Sequence, residues 1–263
     1  MWQKPVRKTL YTLVVDGFSP EITSLTLPLM KRYAQRIGAE FFVIDSRAFP
    51  DFPPSYEKLQ IHRLAQERQD DWSIFFDADT IIHPETFDFT QFMSKDTVAH
   101  NGTDMAAVRW KYDRFLLRDG RHIGSCTWCI MASDWCLELW EPLSDMTKDE
   151  ALASIYPTVD ELTTVITPEH LLDDYTLSRN IAKYGLKVTT LVDIHTKAGF
   201  PNAGFFWHQY TIDRPTKVEQ MKRTLVGWGI DKMNLYSPEI QRKLAEMRAV
   251  VEKERAEALR ANP

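Results

Sequence analysis

Trp72-Ser73-Ile74-Phe75-Phe76-Asp77-Ala78-Asp79-Thr80-Ile81-Ile82 is the stretch that decides the fold of this 263-residue chain. Its first five residues form a short apolar run, which is typical of a strand buried on both faces of a parallel sheet. Asp77 and Asp79 follow that run directly, and a second apolar pair comes after the turn. Carboxylates between buried segments destabilise a fold unless something pairs with them. The stretch therefore predicts that both aspartates face one hard divalent cation, which also binds phosphate oxygens.

The spacing of the two aspartates is weak evidence when it is counted alone. The chain contains 21 aspartates, so about 1.7 Asp-x-Asp matches are expected by chance, and one is present. The alternative is a pair of aspartates that only caps the end of a strand. The apolar segments on both sides of the pair are what favour the cation site.

Strand and helix patterns alternate through the first half of the chain. The predicted strands and helices, in chain order, are the strand Leu10–Asp16, a helix from Ser19 to Gly38, the strand Phe41–Asp45, a helix from Ser55 to about Gln69, and the strand Trp72–Phe76. This β-α-β-α-β order predicts an α/β fold with a parallel sheet and right-handed crossovers. Ligands bind at the carboxyl ends of the strands in such sheets, where Asp16, Asp45 and Asp77 all lie.

The second half contains further elements around a less regular middle, from Pro84 to about Gly120. The predicted elements are the strand His122–Met131, a helix from about Ser133 to Trp140, a helix from Thr167 to Tyr184, the strand Leu186–Val192 and a charged helix from Pro238 to about Arg260. The last helix carries an apolar stripe of Ile240, Leu244, Met247 and Val251. Such a stripe packs on the helix's own domain or forms the seam of a homodimer.

Composition restricts the partners and the compartment. The formal net charge of -5 argues against a nucleic-acid acceptor, although a local basic patch would be compatible with it. No apolar run reaches the length that a membrane span needs, and no signal peptide is visible, so we expect a cytoplasmic protein. Cys126, Cys129 and Cys136 are read as reduced, buried thiols, and the alternative is a metal knuckle built on Cys126-x-x-Cys129.

The segment Tyr56-Glu57-Lys58-Leu59, together with residues 72–82, resembles the donor half of the glycosyltransferases with the GT-A fold. Those enzymes carry an Asp-x-Asp motif after a hydrophobic strand. The resemblance implies that Asp79 ligates Mn²⁺ or Mg²⁺ and that Asp77 contacts the metal or the donor ribose. It also implies that Lys58 lies near the donor; the alternative is a solvated helix residue. Asp16, at the end of the first strand, is a further candidate donor contact.

Two later segments are similar to the same family. Asp173-Asp174-Tyr175-Thr176-Leu177-Ser178-Arg179, followed by Gly185, resembles the acidic signature of the inverting branch, in which the second carboxylate, here Asp174, is the general base and Asp173 its neighbour. Phe205-Phe206-Trp207-His208 resembles the late segment whose histidine completes the metal site. Arg214 and Lys217, which follow within nine residues of His208, are candidates to neutralise a diphosphate.

The resemblance implies a single α/β domain with a GT-A-type, Rossmann-like mixed sheet, mostly parallel and flanked by helices. Residues 1–237 would form this domain, with a donor half at about 9–83 and an acceptor and catalytic half at about 84–217, and residues 238–263 would add the charged C-terminal helix. The implied activity is metal-dependent transfer of a hexosyl or pentosyl group from a nucleotide sugar, with UDP favoured, to a hydroxyl of a glycan, glycoconjugate or small molecule, with inversion.

Three alternatives stay open at this point. One is a retaining transferase with the same metal site, and another is a non-catalytic nucleotide-binding or scaffold protein of the same fold. A nucleotidyltransferase shares the sheet and the metal chemistry, but Asp16-Gly17-Phe18-Ser19-Pro20 lacks the glycine-rich, basic phosphate loop that usually follows the first strand of that class. Hydrolase motifs such as Gly-x-Ser-x-Gly and His-Glu-x-x-His are not found in the sequence.

Overall fold

The computed structural model describes residues 5–101, 127–155, 168–199, 205–208 and 213–261. Eight strands in this part of the chain form one large and one small sheet. They are β1 Lys8–Leu13, β2 Glu40–Ile44, β3 Trp72–Phe76, β4 Ile81–Ile82, β5 Thr97–His100, β6 Cys129–Ser133, β7 Lys187–Thr190 and β8 Phe206–Trp207. The large sheet has the order β2-β1-β3-β6-β5-β7, and β4 pairs with β8.

The large sheet is mixed and mostly parallel, as predicted. β1 runs parallel to both β2 and β3, and β5 runs parallel to β7. β6 is antiparallel to its neighbours β3 and β5. The chain leaves β1 for β2 on one side and later returns to β3 on the other, so the strand order reverses at β1. A reversal of this kind opens a crevice at the carboxyl ends of β1 and β3.

Helices cover both faces of the sheet. The α-helices are α1 Pro20–Arg36, α2 Ile61–Arg68, α3 Lys148–Ser154, α4 Leu172–Tyr184, α5 Leu191–Lys197, α6 Arg214–Gly227 and α7 Pro238–Ala261. Short 3₁₀ helices span Pro54–Gln60, Phe89–Phe92, Asp134–Trp140, Pro168–Leu171 and Ile230–Lys232. β3 lies in the middle and is buried on both faces. Its Phe75 packs into the cluster on one face and Ile74 and Phe76 into the cluster on the other, as the two-residue period of a strand requires.

Several element boundaries differ from the sequence predictions. The predicted first strand, Leu10–Asp16, is observed as Lys8–Leu13, and the chain turns shortly beyond it, where Asp16 and Gly17 take left-handed backbone angles, with φ of 52° and 70°. The helix predicted from Ser55 begins as the 3₁₀ helix Pro54–Gln60 and becomes α-helical only at Ile61. The predicted strand Leu186–Val192 ends at Thr190, because the Thr190 side chain accepts from the Asp193 backbone and begins helix α5.

The remaining predicted elements are partly recovered. The helix expected from Ser133 is the 3₁₀ helix Asp134–Trp140, which the Ser133 side chain caps. The strand expected over His122–Met131 is observed from Cys129, and its first residues lie outside the described part of the chain. Cys129 and Cys136 are free and buried, whereas Cys126 lies outside the described residues. Within the described ranges, no helix combines the length and apolar character needed to cross a bilayer.

The C-terminal helix α7 packs on its own chain. Leu244 is fully buried in a cluster with Leu25 of α1 and Met221 of α6. Beyond it, Arg223 of α6 forms an ion pair with Glu254 of α7 at 2.7 Å. Leu244 of the apolar stripe therefore packs on its own domain, which is the first of the two interpretations. A homodimer stays a prediction.

Candidate metal and donor site

The two aspartates lie in the turn that joins β3 to β4. The Asp77 backbone amide donates to the Trp128 carbonyl at 2.9 Å, and the Thr80 amide donates to the Asp77 carbonyl at 2.9 Å. β4 then pairs with β8, which places Ile81 opposite Trp207. Because His208 follows β8 directly, this small sheet brings the imidazole beside the two carboxylates.

The three side chains form a group with the geometry of a cation site. His208 Nε2 lies 3.2 Å from Asp79 Oδ1 and 4.0 Å from Asp77 Oδ2, and the ligand atoms all lie within 4.8 Å of one another. An octahedral ion with bonds of ~2.1 Å keeps adjacent ligands about 3.0 Å apart and opposite ligands about 4.2 Å apart. The Trp128 ring stacks on His208 at 5.4 Å between centroids and fixes the imidazole plane. Two carboxylates and an imidazole suit Mn²⁺ and, with water ligands, Mg²⁺.

Each aspartate of the pair also faces a lysine. Lys217, in the first turns of α6, places Nζ 2.6 Å from Asp79 Oδ2, whereas His208 lies near the other oxygen, Oδ1. Lys58, in the 3₁₀ helix Pro54–Gln60, places Nζ 3.6 Å from Asp77 Oδ1. Both lysine side chains are buried, with 8% and 3% of their surface exposed. The alternative interpretation of Lys58 as a solvated helix residue is therefore wrong.

Two further carboxylates enter the site from the first turn of α4. Asp173 accepts from Lys58 Nζ at 2.7 Å and from Ser55 Oγ at 2.9 Å. Asp174 accepts from the Thr127 backbone amide at 3.1 Å and also from the Thr127 hydroxyl. Both side chains are buried, and the N-terminal end of a helix favours negative charge. The carboxylates, lysines and His208 surround one cavity of ≈ 150 Å³, which Thr127, Ser55 and His170 also line.

The ionisation of these groups follows from burial and from the lysines. Burial acts to raise the pKa of Asp79, but the hydrogen bond that it accepts from His208 and the Lys217 ammonium outweigh burial and hold that pKa well below its ordinary value. Burial likewise acts on Asp173, whose pKa the Lys58 ammonium keeps below the ordinary value. Burial raises the pKa of Asp77 despite Lys58, and the charge on Asp79 adds to the rise. Burial favours neutral Lys58, but its acidic neighbours raise its pKa above the ordinary value.

A second, more apolar cavity adjoins the first. It has a volume of ≈ 210 Å³ and shares Ser55, Asp77, Asp79 and His170 with the charged cavity. Its other walls are Leu13, which is the last residue of β1, and Val15, Phe18, Pro54 and Ala78. The two cavities together occupy the crevice where the strand order reverses, at the carboxyl ends of β1 and β3.

Most of the predicted site residues meet in this crevice, and two do not. Asp77, Asp79, His208, Lys58, Lys217, Asp173 and Asp174 all line the charged cavity. Among the described residues, Asp16 and Arg214 lie outside the linings of both cavities. Asp16 instead pairs with Arg47 at 2.5 Å, and Arg214 is an exposed residue at the start of α6. Their contacts with a donor stay predictions.

Sequence reasoning missed three residues that line the charged cavity, namely Ser55, Thr127 and His170. Ser55 and Thr127 hold Asp173 and Asp174, respectively. No sequence motif indicates that either residue contacts its aspartate, and Thr127 is separated from Asp174 by 47 positions along the chain. His170 lies three residues before Asp173, so its position at the start of the acidic segment is the one signal that could have indicated it.

Comparison with solved structures shows that this chain has the GT-A fold. A galactosyltransferase, LgtC in complex with donor and acceptor sugar analogues, matches with a TM-score of 0.50 at 11% identity, over 90% of this chain and 99% of that one. A glycosyltransferase involved in glycosylation of the major capsid of PBCV-1 matches with a TM-score of 0.47 at 12% identity, over 83% and 100%. No protein-family model matches the sequence, and no curated protein matches it. At these identities the likeness is one of fold.

Proposed function

We propose that this protein is a metal-dependent glycosyltransferase that moves a sugar from a nucleoside-diphosphate sugar to an acceptor hydroxyl. The observation that carries the proposal is the convergence of Asp77, Asp79 and His208 at the end of β3. This group lies between the apolar cavity at the switch point and the two buried carboxylates of α4. A nucleotide sugar needs the same three parts: an apolar place for its base, a cation for its diphosphate, and a base near its sugar.

The charge balance of the site supports one divalent cation. Asp77, Asp79, Asp173 and Asp174 are four carboxylates in one cavity with the two ammonium groups of Lys58 and Lys217. With His208 neutral, the formal charge of this set is two negative units. Buried charge that is not offset is costly. One divalent cation offsets it, which supports Mn²⁺ or Mg²⁺ as the cofactor.

The apolar cavity supports a nucleoside as the other part of the donor. Leu13, Val15 and Phe18 give it apolar walls next to the cation site, and small-molecule sites combine apolar walls with a few polar groups that fix orientation. The resemblance of the sequence to the GT-A enzymes favours UDP over GDP as the nucleotide. The galactosyltransferase that shares the fold was solved with analogues of both a donor and an acceptor sugar, in keeping with a sugar acceptor.

Asp174 is the residue that we assign as general base. Thr127 holds its carboxylate through two donors, which fixes its orientation. Asp173 is engaged by Lys58 and Ser55, so its role is to hold Lys58 and the site in place. Asp174 takes the proton of the acceptor hydroxyl while the hydroxyl oxygen bonds to the anomeric carbon. The electron pair of the breaking C–O bond leaves with the diphosphate. Attack from the face opposite the diphosphate gives inversion.

The cation, when bound, offsets the charge that develops on the leaving diphosphate. The chain's own groups assist from fixed positions. Asp77, Asp79 and His208 would hold the cation, and Lys217 lies within bonding distance of Asp79, where an ammonium can donate to phosphate oxygens. A positioned base contributes roughly 10²–10⁴-fold to the rate.

A screen of nucleotide sugars for Mn²⁺-dependent hydrolysis tests the proposal without an acceptor. We expect one nucleotide sugar to be hydrolysed, and the same nucleoside diphosphate to raise the melting temperature only with Mn²⁺. Absence of any response to nucleotides would favour the scaffold alternative. The anomer first formed, read by NMR, separates inversion from the retaining alternative, because only inversion changes the anomeric configuration.

A further inference from the structure

Lys217 and His208 divide the two oxygens of Asp79 between them. His208 Nε2 lies 3.2 Å from Oδ1, and Lys217 Nζ lies 2.6 Å from Oδ2. Lys217 is held firmly at this place. Asp213 caps α6 through the Thr216 amide at 3.1 Å, and Val218 and Met221 anchor the helix in the apolar cluster that it shares with α1.

This ammonium has two opposed effects on a cation that binds Oδ1 of Asp79. By holding Oδ2 it orients the carboxylate, and loss of such an orienting partner typically lowers metal affinity about 10- to 100-fold. It would also repel the cation, because Nζ lies beside the other oxygen of the same carboxylate, 2.6 Å from Oδ2. Between groups on one carboxylate, the repulsion between a unit charge and a divalent ion exceeds the orienting effect, even at the effective dielectric constant of a protein surface. The net effect of Lys217 is therefore to weaken binding of the bare cation.

A diphosphate bound to the cation reverses the net effect of Lys217 on cation binding. Once the cation neutralises Asp79, the ammonium is no longer needed there, and phosphate oxygens beside the cation offer a stronger, charge-assisted partner. Without the cation, Lys217 stays paired with Asp79 and donates no hydrogen bond to the diphosphate. On the basis of the proposed function, we propose that Lys217 couples the two ligands: it exchanges Asp79 for the diphosphate, so that cation and nucleoside diphosphate bind as a pair and the cation alone binds weakly.

Isothermal titration of the full chain with MnCl₂, with and without saturating UDP, tests this coupling. The readout is the ratio of the two Mn²⁺ affinities, which by thermodynamic linkage equals the effect of Mn²⁺ on UDP affinity. We expect Lys217→Met to bind bare Mn²⁺ about tenfold more tightly or better. We also expect the coupling ratio to fall about 10- to 100-fold, the value of one charge-assisted hydrogen bond.

Two further variants serve as controls. Lys217→Arg keeps the positive charge and should keep both the weak bare affinity and most of the coupling. Lys222→Met removes a lysine from the same helix outside the cavity and should match the unchanged protein. If Lys217→Met lowers the Mn²⁺ affinity equally with and without UDP, Lys217 only orients Asp79 and the coupling role is refuted. If the unchanged protein binds neither Mn²⁺ nor UDP, it is the proposed function that fails.

Discussion

Lys58→Met is the substitution whose effect on stability follows most directly from the structure. Lys58 Nζ lies 2.7 Å from Asp173 Oδ2 and 3.6 Å from Asp77 Oδ1, and it stands over the Phe75 ring at 4.8 Å. Methionine keeps most of the volume and the contact with Phe75 but removes the ammonium. Asp173, whose side chain is 5% exposed, then keeps its hydrogen bond from Ser55 and loses its ion pair.

The expected loss is large because one partner of a buried pair is left alone. Removal of one partner from such a pair typically costs about 3–5 kcal/mol. In a chain of this size that loss corresponds to a fall in melting temperature of roughly 6–20 °C. The double variant Lys58→Met with Asp173→Asn should recover much of the loss, since it removes the unpaired charge as well.

The loss of stability in Lys58→Met should depend on pH in a definite direction. In the unchanged protein the pKa of Asp173 is lowered on folding, so its contribution to stability is complete above about pH 4 and is lost only as the pH falls further. In Lys58→Met, burial without the ammonium raises the pKa of Asp173 above its unfolded value. The variant therefore loses stability as the pH rises through that raised pKa. The difference between the two proteins should be largest at pH 8 and shrink towards pH 5.

Urea unfolding of both proteins at several pH values between 5 and 8 measures this difference. Arg63→Met is the matched control, because it breaks a 2.8 Å ion pair with Glu67 in which both side chains are more than half exposed. An exposed pair of that kind is worth at most about 0.5 kcal/mol. A loss below about 1 kcal/mol for Lys58→Met, or a loss that does not vary with pH, would refute the charge-pair argument.

Three other outcomes are expected. Asp174→Asn should lower kcat by roughly 10²–10⁴-fold with the KM for the donor nearly unchanged; a large rise in KM at normal kcat would contradict the role of base. Asp79→Ala should abolish Mn²⁺ binding in isothermal titration, and an affinity equal to that of the unchanged protein would remove Asp79 from the metal site. Leu244→Ala should cost about 2–5 kcal/mol in urea unfolding because Leu244 is fully buried. Leu259→Ala, at a side chain that is 74% exposed, is its control, and equal effects would argue against the packing of α7 on its own domain.

The central strand could be predicted to the residue, and neighbouring boundaries could not. Trp72–Phe76 is apolar at almost every position because both faces of β3 are covered, and such a run has one simple interpretation. Leu186–Val192 looks equally strand-like. Its end is nevertheless set by one local hydrogen-bonding arrangement, in which the Thr190 side chain accepts from Asp193 and starts a helix. A propensity summed over a window does not register a capping contact between one side chain and a backbone amide three residues later.

The candidate site divides in the same way. The aspartate pair is indicated by its own strand, but the pairing of β4 with β8 that brings His208 to it rests on strands of two residues each, too short for any periodicity. His208 was found through family resemblance. The contact of Lys58 with Asp173 joins residues 115 positions apart, and the contact of Thr127 with Asp174 joins residues 47 positions apart. Such contacts depend on how helices dock on the sheet, which a single sequence does not encode locally.

The arrangement of charges at the end of β3 is itself an argument for function. A buried ion pair adds little net stability, because desolvation of the two groups offsets their attraction, and apolar residues of similar volume often serve the fold as well or better. Here four carboxylates and two ammonium groups share one small cavity, and burial acts to raise the pKa of Asp77, Asp79 and Asp173. Stability alone therefore does not explain why this set is charged. The proposed ligand, a divalent cation on a diphosphate, is itself highly charged and would interact with this set, so the arrangement of charges supports the proposed function.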